Sequence, residues 1–394
     1  MLPSTFPSEV FSSGHFEAPR AAYGEAQGGR CNKCAYVHLS VGGCSRRLMQ
    51  ESQAVFDELP IRPSPGMHSS PTIAVVIPNY NAERYLAATL RSVLAQQGAF
   101  RLEVLVVDDG SSDGSVAMLK RDFPEVRVIE QSNAGVAAAR NAGIAAASAE
   151  WVAFIDADDI WLPGKLQAQL ELIDACGDAV RMCSTGWHVW TTQTVEPPED
   201  LLRELAARNP GVSAQSAEAA RTAWRYTELL QDCVVWTSTV LAQRSLLREL
   251  GGFDAGLRVG EDYDLWLRAS RLTPIPRLDA PLALYRHHGA NITHRAPERN
   301  FKGEVVQRAI DRWGYQGPDG REASRTTVRA GLSRSWADFA GAQLLAGRRR
   351  RALPAACRAV RLKPSSLLGW TVFCKSLPGL LLADNADPGR TPQA

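Results

Sequence analysis

The densest group of side chains that could do chemistry lies in the segment FIDADDIW, residues 154–161. Asp156, Asp158 and Asp159 follow an apolar run, and carboxylates beside a buried strand repel one another and are costly to desolvate. Mg²⁺ or Mn²⁺ prefers carboxylate oxygens, and phosphate oxygens can complete its shell. The Asp156-Ala157-Asp158 triplet therefore predicts a site for a divalent metal and a diphosphate. The alternative is that these acids cap the next helix, which fits part of the role of Asp159.

A second acidic segment, Asp108-Asp109-Gly110-Ser111, also follows an apolar run. A plain turn explains it, because Asp, Gly and Ser favour turns. A carboxylate at the end of a strand can also accept hydrogen bonds from a base NH or a ribose hydroxyl. Tyr80, after the first apolar run, offers a flat face on which a base could stack. Arg140 can either reach a phosphate or pair with a nearby acid.

The pair Glu261-Asp262 is the best candidate for proton transfer. On a helix, Asp262 shares a face with Leu265 and Trp266, so its carboxylate projects from the side that packs inward. Partial burial raises the proton affinity of a carboxylate, which suits a general base. The alternative is that acids are favoured in the first turn of any helix. His288 can ligate a metal or contact a phosphate, although a lone histidine is more often structural.

Short apolar runs and helical patterns alternate around these residues, which predicts βαβ units and a sheet covered on both sides. In such a sheet, ligands bind beyond the carboxyl ends of the strands, where the polar residues above collect. We therefore expect an α/β fold with a Rossmann-like, mixed and mostly parallel sheet flanked by helices, followed by a C-terminal helical extension. The runs that predict strands are 73–77, 104–107, 126–129, 151–155, 237–242 and 282–285.

The bulk numbers exclude several classes of protein. An apolar content of 45% supports a packed core, and a formal charge of +2 over 394 residues gives no reason to expect nucleic-acid binding. Residues 1–70 lack periodicity and are expected to be disordered or wrongly assigned to the coding sequence. Cys31 and Cys34, with His38 and Cys44, could bind zinc, but no second Cys-x-x-Cys pair completes the site. Scattered cysteines without a secretory signal indicate a cytoplasmic protein.

Taken as a set, the motifs resemble the inverting family-two glycosyltransferases with the GT-A fold. The order and the separations of the motifs match over about residues 72–295. The matching segments are VVIPNYNAERYLAATLRSVLAQ, EVLVVDDGSSDGS, NAGVAAARNAGI, WVAFIDADDIW and GGFDAGLRVGEDYDLWLR. The resemblance implies a GT-A domain over 71–300, with a nucleotide-sugar half (71–175) and an acceptor half (176–300), before a helical extension (301–394).

The resemblance also implies roles for individual residues. Pro78, Tyr80 and Asp109 would hold the base and its sugar, and Asp262 would be the base that activates an acceptor hydroxyl, with Glu261 beside it. The donor is a nucleotide-diphosphate-sugar, used with Mn²⁺ or Mg²⁺, and Arg140 is expected to stabilise charge on the leaving diphosphate. The full donor-binding set is Pro78, Tyr80, Asn81, Glu83, Asp109, Arg140, Asp156, Ala157 and Asp158, and the metal set is Asp156, Asp158 and His288.

The function implied is metal-dependent, inverting hexosyl transfer to a saccharide or lipid-linked saccharide, in surface polysaccharide or glycolipid assembly. One alternative is a sugar nucleotidyltransferase, but PNYNAERYL replaces the glycine-rich activation loop of that class. Another is a non-catalytic sugar-nucleotide-binding subunit. In the tail, Arg348–Arg351 beside an apolar helical segment suggests peripheral contact of residues 348–382 with the inner face of the plasma membrane. The alternative is a solvated turn next to a packed helix.

Overall fold

A computed structural model describes residues 70–191, 194–207, 220–288 and 297–377. The expectations for residues 1–69, including the zinc candidates Cys31, Cys34, His38 and Cys44, lie outside these ranges. So do residues 192–193 and 208–219 of the insertion that interrupts the strand–helix pattern, and the part of the tail that follows residue 377.

The first part of the described chain alternates strands with helices, as predicted. The first two strands are three and four residues longer than the apolar runs that predict them, because the residues at the ends of each run continue the ladder. The elements are β1 (Thr72–Asn79), α1 (Glu83–Leu94), β2 (Arg101–Asp108), α2 (Ser115–Asp122), β3 (Arg127–Glu130), α3 (Val136–Ala146), β4 (Trp151–Phe154), β5 (Ile160–Trp161) and α4 (Lys165–Cys176).

The second part is less regular. Its elements are β6 (Met182–Thr191), α5 (Glu199–Ala206), α6 (Tyr226–Leu229), β7 (Leu241–Gln243), α7 (Arg244–Glu249), α8 (Glu261–Ala269), β8 (Arg277–His287), α9 (Phe301–Trp313), α10 (Arg325–Leu345), α11 (Arg349–Leu362) and α12 (Leu367–Ser376).

The strands form one sheet in the order β3-β2-β1-β4-β7-β6-β8-β5. Among the described residues, the pairs β1–β2, β1–β4, β2–β3 and β6–β8 are parallel. The pairs β4–β7, β6–β7 and β5–β8 are antiparallel. The prediction of a mixed, mostly parallel sheet flanked by helices is therefore confirmed.

One predicted strand is mostly something else. The sequence from Thr237 to Ala242 is rich in β-branched residues, but Thr237–Thr239 is a 3-10 turn and the strand begins only at Leu241. The turn frees Ser238 Oγ to donate to Asp159 Oδ2. A buried polar contact therefore overrides the strand propensity of this segment.

Both faces of the sheet are covered. Along β1, Ala74 and Val76 belong to one apolar cluster, whereas Ile73, Val75 and Ile77 belong to another on the opposite side. This period of two follows from the alternation of side chains along a strand. The two-sided burial explains why the strands read as continuous apolar runs rather than alternating ones.

Helix α3 lies unusually close to β1. A Cβ added at Gly143 would come within 2.4 Å of Val76 Cγ1, so only glycine fits at this contact. The close approach fixes the helix against the sheet and thereby fixes Arg140, one turn earlier on α3. Asn141 strengthens the arrangement, since its Nδ2 donates to the Phe253 carbonyl at 2.8 Å and its Oδ1 accepts from the Phe253 NH.

The C-terminal helices fall into two groups. Helix α9 and the start of α10 place Val305, Val306 and Val328 in the same core as the sheet. The rest of α10 packs against α11 and α12 in a separate cluster, which consists of Trp336 and small side chains. The predicted C-terminal helical extension is therefore confirmed. No helix among the described residues has the length and hydropathy needed to cross a membrane.

Candidate active site

The β2-end pair, Asp108 and Asp109, is buried and fully engaged by the protein. Asp108 accepts from Asn79 Nδ2 at 2.6 Å and from the Ser111 NH at 2.9 Å. Asp109 accepts from Gln131 Nε2 at 2.7 Å and from the backbone NH groups of residues 134 and 135, both at 2.8 Å. Both side chains therefore brace the loops at the end of β2, and the turn interpretation holds for Asp108.

Asn81 does not cap α1, although asparagine is a favoured residue at that position of a helix. Its φ of 51° is left-handed, whereas a capping residue needs an extended conformation. The residue that precedes the helix is Ala82, without a side-chain cap. Asn81 Oδ1 instead accepts from the Ser112 NH at 2.8 Å, across the loop after β2.

The other donor-binding candidates around the end of β1 differ in exposure. Glu83 also serves the loop after β2, since its Oε2 accepts from the Gly114 NH at 2.9 Å. Pro78 is buried within β1, whereas Tyr80, just after the strand, is 55% exposed. The ring of Tyr80 is thus the accessible surface in this group on which a flat base could stack.

The β4-end triplet, Asp156, Asp158 and Asp159, lies in the loop between β4 and β5. Asp159 is buried and accepts from Ser238 Oγ at 2.5 Å, from Trp236 Nε1 at 3.3 Å and from the Arg286 NH at 3.1 Å. It does not cap the next helix. Burial, followed by the charges of Asp158 and Asp156, raises the pKa of Asp159 well above its ordinary value. Asp159 therefore fixes the loop that presents the other two aspartates.

Arg140 joins this loop to the start of α8. Its Nη2 donates to Asp156 Oδ1 and its Nη1 donates to Glu261 Oε1, each at 2.6 Å. Burial opposes the charge of the guanidinium, but Asp156 and Glu261 hold the pKa of Arg140 above its ordinary value. Of the two roles considered for Arg140, the structure shows pairing with acids. The expected effect of Arg140 on the charge of the leaving diphosphate stays a prediction.

The two carboxylates held by Arg140 differ in accessibility. Burial raises the pKa of Glu261 to about 7, helped by the neighbouring Asp262 and opposed by Arg140. Burial also raises the pKa of Asp156, with Arg140 again opposing it. Glu261 is buried, whereas the side chain of Asp156 is 29% exposed. Arg140 thus anchors Glu261 inside the protein and leaves part of Asp156 at the surface of the cleft.

Asp262 is the half-buried member of the predicted catalytic pair. It lies in the first turn of α8, and its Oδ1 accepts from the Tyr263 NH at 2.7 Å. Its Oδ2 accepts from Thr237 Oγ1 at 2.9 Å. The helix N-terminus and the hydroxyl both stabilise the ionised carboxylate, while one side remains accessible. Both interpretations of this position, a first-turn acid and a poised base, are compatible with the geometry.

Asp158 and His288 form the candidate metal-binding pair. His288 Nε2 lies 3.0 Å from Asp158 Oδ2, and its ring packs 4.6 Å from the ring of Tyr85. Carboxylate oxygen and imidazole nitrogen are both ligands of Mn²⁺-type cations. Among the described residues, no group of three or more histidine, cysteine, aspartate or glutamate side chains could hold a metal. The role of Asp158 and His288 as metal ligands stays a prediction.

Arg286 is a residue whose importance the sequence did not reveal. It is buried on β8, where its Nε donates to the Asp158 carbonyl at 2.7 Å and its guanidinium lies between the rings of Tyr85 and Trp190. Arg286 and Ser238 both hold the loop of the β4-end triplet. The sequence signal was a charged residue directly after a predicted strand, two positions before His288.

Comparison with known proteins places this geometry in a family. The family described as Glycosyl transferase family 2 matches residues 74–221. An uncharacterized glycosyltransferase of Nostoc sp. is 34% identical over 245 residues, which cover 60% of this chain and 71% of the relative. The chain belongs to glycosyl transferase family 2. The GT-A assignment expected from the motifs is confirmed, and the mixed sheet flanked by helices agrees with it.

Other relatives of this family-two glycosyltransferase differ in length and in what is known of them. An Escherichia coli protein named UDP-Glc:alpha-D-GlcNAc-diphosphoundecaprenol beta-1,3-glucosyltransferase WfgD is 30% identical over 197 residues, covering 50% of this chain and 68% of that protein. The chain spans 31% of an uncharacterized glycosyltransferase of Rickettsia bellii. Among solved structures, S. aureus TarS 1-349 in complex with UDP aligns over 78% of this chain and 92% of that one, with 17% identity and a TM-score of 0.49.

Proposed function

We propose that this glycosyltransferase moves a hexose from a nucleotide-diphosphate-sugar to an acceptor hydroxyl with inversion, assisted by a divalent metal. The observation that carries the proposal is the position of Asp262. It is half-buried at the start of α8, it keeps a hydrogen-bond partner on each oxygen, and it neighbours the Glu261–Arg140–Asp156 bridge to the predicted donor loop. A base and a donor-binding loop are thus rigidly connected.

The transfer is a single displacement. Asp262 accepts the proton of the acceptor hydroxyl while the acceptor oxygen bonds to the anomeric carbon of the donor. The bond between that carbon and the diphosphate oxygen breaks on the opposite face, and the electron pair leaves with the nucleoside diphosphate. Because attack and departure occur on opposite faces, the anomeric configuration inverts. Thr237 holds Asp262 in orientation through the hydrogen bond to Oδ2.

The donor would lie along the carboxyl ends of β1, β2 and β4, within the proposed nucleotide-sugar half (71–175). The exposed ring of Tyr80 would stack on the base, and the neighbouring loop braced by Asp109 and Asn81 would shape the rest of that pocket, together with Pro78 and Glu83. Asp158 and His288 would hold the metal, with Asp156 and Ala157 beside the ribose and the diphosphate. A bound divalent cation would offset the negative charge of the diphosphate and of Asp158.

The acceptor is proposed to be a saccharide or a lipid-linked saccharide, bound by the 176–300 half. The activity given in the name of WfgD, transfer to a sugar on diphosphoundecaprenol, supports an acceptor of this class in glycolipid or surface polysaccharide assembly. The proposal for this chain extends to the class of acceptor and not to the particular sugar or linkage.

The C-terminal helices have the composition of a surface that contacts anionic lipid. Residues 348–377 contain eight Lys or Arg and no Asp or Glu. Leu367, at the start of α12, is 82% exposed and Trp370 is 45% exposed. Together with Cys374 and Leu377 they follow the i, i+3, i+7, i+10 spacing of one helix face. We propose that this face and Arg348–Arg351 hold the enzyme at the inner face of the membrane.

Product analysis tests the enzymatic proposal. The protein is incubated with UDP-, GDP- and dTDP-hexoses, with Mn²⁺, Mg²⁺ or EDTA, and with simple glycosides as acceptors. We expect release of one nucleoside diphosphate with a metal and little with EDTA, and a product whose anomeric proton coupling shows inversion. With added pyrophosphate, formation of a nucleoside triphosphate and hexose 1-phosphate from the donor would instead indicate a nucleotidyltransferase. Binding of a donor without any turnover would indicate the non-catalytic subunit.

Flotation tests the membrane proposal. The wild-type chain should float with vesicles containing phosphatidylglycerol and not with vesicles of phosphatidylcholine alone. A variant with serine at all four positions of Arg348–Arg351 should stay at the bottom of the gradient in both cases. No flotation of the wild-type chain with either vesicle would mean that these helices only pack and are solvated. Equal flotation of the two proteins would remove Arg348–Arg351 from the proposed contact.

A further inference from the structure

The last residues of β6 and β8 form a sheet face that the donor site does not use. In this parallel ladder Val189 pairs with Tyr285, and Trp190 pairs with Arg286. Because side chains alternate along a strand, these two pairs point to opposite sides of the sheet. Trp190 and Arg286 are buried, whereas Val189 is 52% exposed. The side that carries Tyr285 is therefore the accessible one.

Three aromatic rings gather on this face. Trp236 lies 4.4 Å from Tyr285 between ring centroids, and Trp187 lies 6.1 Å from Trp236. Each of the three side chains is half-buried, so each keeps part of its surface open. His287 extends the row, with its ring 6.4 Å from Tyr285. We call Trp187, Trp236 and Tyr285 the aromatic platform.

An irregularity in β6 places Trp187 on the platform. The register with β8 shifts on both sides of Gly186, immediately before Trp187. A Cβ at Gly186 would lie 2.6 Å from the Asp279 carbonyl oxygen and 2.9 Å from that of Ala280, so the bulge requires glycine. Bulges of this kind turn side chains out of register and are common beside active sites.

The platform adjoins the proposed base. Trp236 Nε1 donates to Asp159 Oδ2 at 3.3 Å, which fixes one ring to the β4-end triplet. The next residue, Thr237, donates to Asp262 Oδ2 at 2.9 Å. Thr237, which orients Asp262, therefore directly follows Trp236 of the platform. This adjacency brings the platform and the proposed base into the same part of the molecule.

We propose that the aromatic platform is the acceptor subsite and that it binds a pyranose ring, stacked by its C–H face. The proposal rests on the function proposed above. A pyranose combines an apolar face, which an aromatic ring can cover, with hydroxyl groups at its rim, one of which can reach Asp262. A nucleobase or a polyprenyl chain could also cover the rings, but neither carries an alcohol that Asp262 could deprotonate.

Saturation-transfer NMR on the full chain tests this binding without relying on turnover. The probes are the methyl β-pyranosides of glucose, galactose and N-acetylglucosamine, and farnesyl phosphate as the lipid alternative. We expect transfer to the ring C–H protons of at least one glycoside. Trp187→Ala should weaken that binding by about fivefold or more, the usual scale for losing one aromatic contact. Trp370→Ala, which removes an exposed tryptophan of α12, should bind as the wild type does.

A second variant guards against misfolding. Trp187→Leu keeps apolar volume against the core but lacks the flat face, so it should lose glycoside binding while circular dichroism stays unchanged. The proposal is overturned if no glycoside binds, if only farnesyl phosphate binds, or if the folded Trp187 variants bind glycoside like the wild type. Donor turnover tests the proposed function separately. Turnover without the expected loss of glycoside binding in the Trp187 variants would contradict only the acceptor subsite. Loss of glycoside binding in these variants without turnover by the wild type would contradict only the proposed function.

Discussion

Two regions of this enzyme begin alike in sequence and end differently in structure. The β2-end pair and the β4-end triplet each place aspartates directly after a buried strand. In the first region, every carboxylate accepts two or three hydrogen bonds from the protein and is nearly inaccessible. In the second, Asp159 is saturated in the same way. Among the described residues, the side chains of Asp156 and Asp158 each have one partner and are 29% and 27% exposed.

The difference shows what an acidic motif can and cannot reveal. A carboxylate whose oxygens are saturated by backbone NH groups has no need of a ligand, because the protein already stabilises its charge. A pair of partly exposed carboxylates with one partner each still repel one another, and a cation or a donor can relieve that repulsion. The number of protein donors on each carboxylate, and not the motif, separates bracing residues from candidates for binding.

The largest expected effect concerns the accessible acid at the start of α8. Asp262→Asn removes the proton acceptor but keeps the hydrogen-bonding shape, so transfer should fall by about 10²- to 10⁴-fold, the range of general base catalysis. The Kd for the donor nucleotide, measured by calorimetry, should stay within about threefold, because Asp262 has no part in donor binding. Asp279→Asn, at a side chain that is 91% exposed, is the surface control. Unchanged turnover in Asp262→Asn would remove the residue from its role.

The second largest effect tests the accessible part of the β4-end triplet. Asp158→Asn should lower kcat/KM for the donor by about a hundredfold, at the upper end of what altered metal sites show. The Mn²⁺ concentration that gives half-maximal rate should rise, while the melting temperature stays near that of the wild type. A variant that unfolds readily but keeps its metal dependence would mean that Asp158 braces the loop as Asp159 does.

The sequence could predict the frame and the positions of these acids, but not their partners. Apolar runs such as the one in β1 predicted the strands, and the strand ends predicted that Asp109, Asp156 and Asp158 would lie along one edge. The partners come from far along the chain: Arg140 and Glu261 are 121 residues apart, and Arg286 and Asp158 are 128 apart. Local periodicity carries no information about such contacts, because tertiary packing creates them.

The misassigned details have the same cause. Asn81 has the residue type of a helix cap, but the loop after β2 offers its side chain two backbone NH groups. Thr237–Thr239 has the composition of a strand, but Ser238 and Thr237 are needed as donors to Asp159 and Asp262. In each case a polar contact with a distant segment outweighed a local preference of a few tenths to about 1 kcal/mol.

The third prediction concerns the bracing region. In Asp108→Asn, the new amide NH₂ faces one of the two donors, Asn79 Nδ2 or the Ser111 NH, so the free energy of unfolding should fall by about 1–3 kcal/mol. Urea denaturation measures the loss, and Asp174→Asn on the exposed side of α4 should show almost none. Donor affinity of the folded variant should change little. If stability held and donor affinity dropped tenfold, the β2-end pair would belong with the binding residues.

The smallest expected effect concerns a buried basic side chain and the pH dependence of stability. Lys165 is inaccessible, and its described partners are neutral: Nζ donates to Gln169 Oε1 at 2.7 Å and lies 4.1 Å from the centre of the Trp161 ring. Burial lowers the pKa of Lys165 to about 7, whereas an unfolded lysine titrates near 10.4. Between these values the unfolded chain holds a proton that the folded chain lacks, so stability should rise with pH.

The slope of the free energy of unfolding against pH identifies Lys165 as the group that titrates. The rise should approach about 1.4 kcal/mol per pH unit between pH 7 and 9. Below pH 7 the folded protein bears the full cost of the buried charge, and Lys165→Met should remove that cost and the contribution of Lys165 to the slope. Glu261, whose pKa burial raises to about 7, keeps its own opposite contribution in both proteins. The variant leaves Gln169 Oε1 without its donor, but that penalty is the same at every pH and so does not affect the slope. Lys120→Met, at an exposed lysine of α2, should keep the slope of the wild type. Urea titrations at pH 6.5, 7.5 and 8.5 give the free energy of unfolding of wild type and Lys165→Met. If the two free energies changed in parallel with pH, Lys165 would be charged in the core. Burial without an ionic partner would then not suffice to discharge this side chain.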